Sequence, residues 1–325
     1  NNVDCINEPT HLVGPVSQKI TPSLNPFGTN EIDVVTDDNM LNDCTESGNG
    51  DNNAACNNAG SDAIVQITQE NFVNPTIDIG VNFVYSNDIN TLQGFDETND
   101  CDEAGDGNSD ATCSNDLDNL IGPIDQLNFV ISPTPNTAHS NNVEVSQIGI
   151  AENDCNESGA GTGINDATCT IEAANTIDPL SPIEQSNEVN GVDNVVQTND
   201  FSISQAFDVE NACNEFEDGT NSVICNIAGL DNEIGDDPVP IQQSNDAAGS
   251  AGATISQNNE VDGDDALGIP GISQLIVAAN TCGQTGSGDN LASCVMSDFE
   301  NDVDLVDQSN SVLDADDGAV ISQDN

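Results

Sequence analysis

The chain has 325 residues, a formal charge of -57 from 58 acidic residues against one basic residue, and aromatic side chains at only 3% of positions. So acidic a surface repels phosphates and anionic headgroups, which excludes nucleic acid as a partner and leaves cations and further copies of the chain. No apolar run approaches the roughly 18 residues that a membrane span needs, so membrane insertion is not expected.

Strong acidity with few aromatics also describes disordered chains. The regular recurrence of β-formers and of the 11 cysteines argues for order instead. With almost no histidine to complete metal clusters, these cysteines read as disulfides, which persist in oxidising compartments. The sequence opens Asn1-Asn2-Val3, with neither Met nor a basic-then-apolar leader. This reads as a secreted chain after signal removal, placed outside the cell or on its surface.

In chain order, Cys5 comes first, and Leu12-Val13-Gly14-Pro15-Val16 leads from it to Gln18 with the spacing of Cys113 to Gln126. Five cysteine pairs follow, Cys44/Cys56, Cys101/Cys113, Cys155/Cys169, Cys213/Cys225 and Cys282/Cys294, and their first members recur at 57, 54, 58 and 69 residues. The spacing predicts one repeat array over 1–325, with approximate units 1–43 (partial), 44–100, 101–154, 155–212, 213–281 and 282–325 (partial). Asn stands two positions before each first cysteine, at 42, 99, 153, 211 and 280. Gln stands eight before it in four units (Gln93, Gln147, Gln205, Gln274), with Thr36 in the first. Beyond each second cysteine an apolar stretch leads to another Gln, as in Ile121-Gly122-Pro123-Ile124-Asp125-Gln126.

Segments such as Val143-Glu144-Val145-Ser146-Gln147-Ile148 alternate polar and apolar residues, which predicts strands, while the abundance of Asn, Asp, Gly, Thr and Val disfavours helix. The expected fold is all-β. Short strands joined at turns such as Asn49-Gly50 and Asn190-Gly191 stack in register into a β-solenoid with disulfide-closed loops, its Gln and Asn forming amide ladders. A β-sandwich polymer is the alternative.

Tandem Gln-x-Asn and Ser-x-Gln strands resemble the curlin-type repeats of secreted bacterial fibres, and the Asn/Asp-rich cysteine loops resemble repetitive surface proteins of archaea. Curlin repeats are shorter, carry Gly beside the Gln and lack cysteine loops. The resemblance therefore implies a secreted β-rich fibre subunit, but neither a coil size nor a mode of assembly.

The expected bonds are local: Cys44–Cys56, Cys101–Cys113, Cys155–Cys169, Cys213–Cys225 and Cys282–Cys294, each closing a short loop for about 3 kcal/mol. Cys5 is left as a free or inter-subunit thiol. Asp100, Asp102, Asp106 and Asp110 alternate around a Gly in partial match to a Ca²⁺ loop, although Asp, Asn and Gly are also ordinary turn residues. Ca²⁺ is accordingly the one cofactor suggested. Asn156-Glu157-Ser158 is a glycosylation sequon. His11 and His139 are expected on the surface. One Lys, two isolated His and no Arg leave only carboxylate pairs for catalysis, in loops that repeat where an active site is built once, so the chain is read as no enzyme. The expected function is a structural subunit of an extracellular filament or surface layer, with a monomeric adhesin or Ca²⁺-binding surface module as the alternative. Head-to-tail stacking is expected to join Val320-Ile321-Ser322-Gln323, read as the strand eight before a cysteine, to Val3, Asp4 and Cys5 of the next copy.

Overall fold

A computed structural model describes residues 2–21, 27–49, 51–73, 83–131, 136–159, 164–177, 183–215, 219–234, 241–261, 272–284, 288–303, 306–313 and 320–324. The first strands are β1 (Asn2–Asn7), β2 (Thr10–Val13), β3 (Val16–Ile20), β4 (Phe27–Asn49), β5 (Asn52–Ile64) and β6 (Ile67–Val73). Then come β7 (Phe83–Asp106), β8 (Ser109–Ile121), β9 (Ile124–Ile131), β10 (Asn136–Gly159), β11 (Ile164–Ile177) and β12 (Ile183–Glu215). The last are β13 (Gly219–Ile234), β14 (Ile241–Val261), β15 (Ile272–Gln284), β16 (Gly288–Val303), β17 (Val306–Leu313) and β18 (Val320–Asp324).

The chain is a β-solenoid. Ladder pairing is parallel, and it aligns like residues of successive repeats, for example Cys44, Cys101, Cys155, Cys213 and Cys282. The second cysteines, Cys5, Cys56, Cys113, Cys169, Cys225 and Cys294, form a parallel column of their own.

One coil shows how the sequence folds. β7 runs outward for 24 residues, the chain turns at Gly107 and Asn108, and β8 returns for 13 residues, continued beyond Gly122-Pro123 by the 8 residues of β9. The returning strands face the outgoing ones: Asn99 Nδ2 donates to Asn115 Oδ1 at 2.6 Å, and Gln126 Nε2 to the carbonyl of Asn142 on β10 at 2.8 Å. Each coil is thus flattened into two layers, about 80 Å wide at roughly 3.3 Å per residue, and coils rise by about 4.8 Å. The corner at Gly122 needs glycine, because a Cβ there would lie 1.9 Å from the carbonyl oxygen of Val65.

The strands are longer than expected, and most of each cysteine loop is strand. Inward positions hold Asn, Gln, Thr and Glu as well as apolar residues, so the buried/exposed alternation of β7 and β8 runs through stretches whose polarity reads as turn.

Across its width the core alternates apolar belts with amide belts. Phe83, Tyr85 and Val130 fill one end. A broad aliphatic belt around Ile64, Ile89, Ile121, Ile124 and Val143 follows, then Phe95, Leu117, Ile171 and Phe207, then the cysteines with Ala167 and Val223. Between them Gln147 Nε2 donates to Gln93 Oε1 (3.0 Å), Gln205 to Gln147 (2.9 Å) and Gln274 to Gln205 (2.8 Å). Asn30, Asn87, Asn141 and Asn199 form a second ladder, each step 2.9 Å. Each amide donates to one coil and accepts from another, which satisfies buried polar groups by repetition.

Candidate functional site

For a chain made of columns, the groups able to do chemistry are those that the stacking brings into line. Three sets stand out: a file of sulfurs, acidic columns on the outer faces, and the open strand edges at the two ends of the stack.

The sulfurs come first. The first cysteines project inward from the outgoing layer and the second cysteines from the returning layer, so the two columns interleave into one zigzag in chain order from Cys5 to Cys294. The Cys101, Cys113 and Cys155 sulfurs lie within 4.8 Å of one another, as do those of Cys169, Cys213 and Cys225. Cys155–Cys169, Cys213–Cys225 and Cys282–Cys294 are joined, with Cα atoms 6.4, 6.1 and 6.0 Å apart. Cys5 is not the free thiol: it is joined to Cys44, while Cys56 and Cys101 carry thiols in place of the expected bonds Cys44–Cys56 and Cys101–Cys113. Cys155 lies within bonding reach of Cys113 as well as of Cys169, and one sulfur can hold only one of them at a time. The physical reason is the zigzag itself, because every interior sulfur has one neighbour on its own coil and another on an adjacent coil. The hydrogen bond to Cys56 and burial hold the Cys101 thiol well above the ordinary thiol range, so it stays protonated.

The Asp residues proposed from sequence as a cation loop do not surround one point. Asp100 and Asp102 leave β7 outward on either side of the inward Cys101, and Asp110 leaves β8 outward from the opposite layer. The side chain of Asp106 lies outside the described residues. Carboxylates gather instead along columns, Asp43, Asp100 and Asp154 on one face and Asp110 with Asp166 on the other. Burial first, and then the Asp102, Asp154 and Asp43 charges, raise the proton affinity of Asp100; burial and then Asp166 do the same for Asp110. Asn156, the sequon residue, belongs to an outer column, donating to Asp102 Oδ1 at 3.2 Å and accepting from Asn214 at 3.1 Å. The single lysine, Lys19, pairs with Glu70.

The assembly residues are also redistributed. Val3 and Asp4 lie on β1, at the open edge of the returning layer, with Val3 packed against the cysteine cluster. Val320, Ile321 and Gln323 lie on β18, whose register aligns Gln323 with Gln257 and, through it, with Gln197. Gln197 stands sixteen residues before Cys213, so Gln323 is not the glutamine eight before a cysteine. The two glutamines of β12, Gln197 and Gln205, both face inward, and the motif alone could not tell them apart.

His139 is buried, not on the surface. It is packed edge-on against Tyr85 with ring centroids 6.0 Å apart, and burial pushes its pKa down to about 3. The signal in the sequence was its even spacing from the inward Val143 and Val145. Glu97, on β7, is the one described charged group buried amid the Phe95 and Leu117 belt; burial, helped by the Asp116 and Asp38 charges, pushes its pKa up to about 8. Among the described residues no helix is long and apolar enough to cross a membrane. Compared with protein families, curated proteins and solved structures, the chain matches none.

Proposed function

We propose that this chain is a structural subunit of an extracellular filament or surface layer, without enzymatic activity, that grows as the coil stack of one copy continues into the next. The observation that supports this is the openness of both ends of the stack. Among the described residues, β1, β2, β3 and β4 form one edge and β15, β16, β17 and β18 the other, each pairing on one side only. An unpaired parallel edge offers a row of N–H and C=O groups, and joining unlike edges gives an open polymer. Outward apolar side chains are most exposed on these end coils, with Leu12 at 68%, Leu41 at 66% and Leu291 at 62%. The joined cysteines suit an oxidising location. Divalent cations such as Ca²⁺ would relieve the acidic columns, which a growing stack lengthens.

Electron microscopy and sedimentation of the oxidised chain test the reading, with and without Ca²⁺. Rods that lengthen with concentration while keeping the width of one coil are expected. Isolated particles one chain high under every condition would favour a monomeric adhesin or cation-binding module.

A further inference from the structure

Nearly everything above repeats from coil to coil, but one cluster is built once. On the coil formed by β2, β4 and the end of β5, three inward columns finish in residues unlike those behind them. The ladder of Asn119, Asn175 and Asn232 finishes in Asp62, with His11 in register beyond it. The Gln ladder finishes in Thr36, and the position of Phe95 is taken by Asp38.

These substitutions bring three ligand-type side chains from three strands to one point. His11 Nδ1 lies 2.9 Å from Asp38 Oδ2 and 3.4 Å from Asp62 Oδ1. One donor atom from each of the three residues falls within 4.8 Å of the other two. Asp62 is fully buried, and apart from the Thr36 hydroxyl and the His11 imidazole at 3.4 Å neither of its oxygens has a hydrogen-bond partner. His11 is 54% exposed and closes the cluster on its solvent side.

An asparagine at position 62 would have joined the amide ladder, whereas a buried carboxylate beside a second carboxylate is costly without a compensating charge. A single imidazolium supplies one charge for two acids. A divalent ion supplies both: bonds of about 2.0–2.2 Å in a tetrahedron place neighbouring ligand atoms about 3.3–3.6 Å apart, which the 3.4 Å between His11 and Asp62 already meets and the 2.9 Å between His11 and Asp38 reaches by opening a few tenths of an ångström. One nitrogen with two carboxylate oxygens fits an ion of the zinc class better than Ca²⁺ or Mg²⁺, which take oxygen shells.

We infer that His11, Asp38 and Asp62 form a binding site for one divalent transition-metal ion of the zinc class, held by His11 Nδ1 and an oxygen of each aspartate, with a fourth position facing solvent. The site is separate from the sulfur file and from the acidic columns.

The test is cobalt and zinc titration of the full oxidised chain after chelator treatment. One Co²⁺ per chain is expected, with the absorption of a four-coordinate nitrogen/oxygen set, no thiolate-to-cobalt band, and displacement by Zn²⁺ but not by equimolar Ca²⁺. His11→Ala and Asp62→Asn should each weaken binding by about 100-fold or more. Asp62→Asn also completes the amide ladder, so its metal-free melting temperature should rise, which separates loss of the site from loss of the fold. Absence of binding, a thiolate band, or affinity unchanged in both variants would overturn the assignment.

Discussion

The interior coils and the β2/β4 edge coil solve the same problem differently. In the interior, Gln147 donates to Gln93 and to the carbonyls of Asn119 and Thr176, and accepts from Gln205, so a fully buried amide lacks nothing. At the edge the same columns finish in Thr36, Asp38 and Asp62. A polar core of this kind is stabilised by sameness along the stack; the Asn30 and Asn42 ladders keep it as far as β4, whereas these three columns change residue type there. Inside the stack, Glu97 breaks the rule, since its column holds Met40, Ala151 and Val209.

Glu97 therefore offers the largest test. Its folded-state pKa of about 8 exceeds the ordinary 4.5, so between those values the folded chain holds a proton that the unfolded chain has released. Stability is full below pH 4.5 and falls as pH rises to 8, by on the order of 4 kcal/mol at about 1.4 kcal/mol per tenfold change in proton affinity. Glu97→Gln should remove this slope and melt higher at pH 8; a melting curve with the same pH dependence as the parent would show that the carboxyl finds a charge partner.

A smaller effect separates interior from edge within one column. Gln147→Leu takes the donor from Gln93 Oε1 and from the Asn119 and Thr176 carbonyls, while Gln205 keeps the Asn175 and Glu233 carbonyls as acceptors; the cost is roughly 3 kcal/mol at 1–3 kcal/mol per stranded group. Thr36→Val, at the end of the same column, removes only the one hydroxyl beside Asp62 and should cost about 1 kcal/mol in chemical denaturation. Equal losses would mean that the ladder does not carry the stability.

The sulfur file makes the comparison countable. Eleven sulfurs in one zigzag leave at least one thiol. Removing a returning-layer cysteine such as Cys169 divides the rest into even runs that can pair completely. Removing an outgoing-layer cysteine such as Cys155 leaves two odd runs and two thiols. Thiol titration in denaturant should find none in Cys169→Ser and two in Cys155→Ser, the latter less stable by about 2–3 kcal/mol for one lost closure. Bonds confined to fixed pairs would give the same count for both.

Much of this was legible in the sequence. The spacing of Cys, Asn and Gln gave the coil length and the columns, because a parallel in-register stack repeats whatever one coil contains. Partner choice in the file was not legible, since each sulfur has equivalent neighbours before and after it. Nor was the register of Gln323, because Gln197 and Gln205 differ by an even number of residues and so face the same way. The His11, Asp38 and Asp62 cluster joins residues from three strands with no local motif, and only the register of β2 on β5 and of β4 on β7 brings them together.

Backbone shape passes along the stack as side-chain identity does, and the opposite edge shows it. β13 holds one more residue than β11 between Ile227 and Leu230, a bulge in which Gly229 adopts φ +64°. β16 pairs Ala228 with Ser297 and Leu230 with Phe299, so Asp298 must follow the same path and takes φ 59°. Glycine accepts this left-handed backbone freely, whereas a residue with a Cβ is strained there. Asp298 also lies close enough to Asp231 to raise its proton affinity, second to burial. Asp298→Gly relieves the strain and the like charge, loses an exposed hydrogen bond from Ser297 and gains unfolded-state freedom. The expected balance is a stabilisation of about 0.5 kcal/mol, read as a small rise in denaturant midpoint at neutral pH. Gly229→Asp, the same exchange one coil further in, should instead destabilise by about 1 kcal/mol. If the two changes had the same sign, the bulge would not be inherited through the ladder.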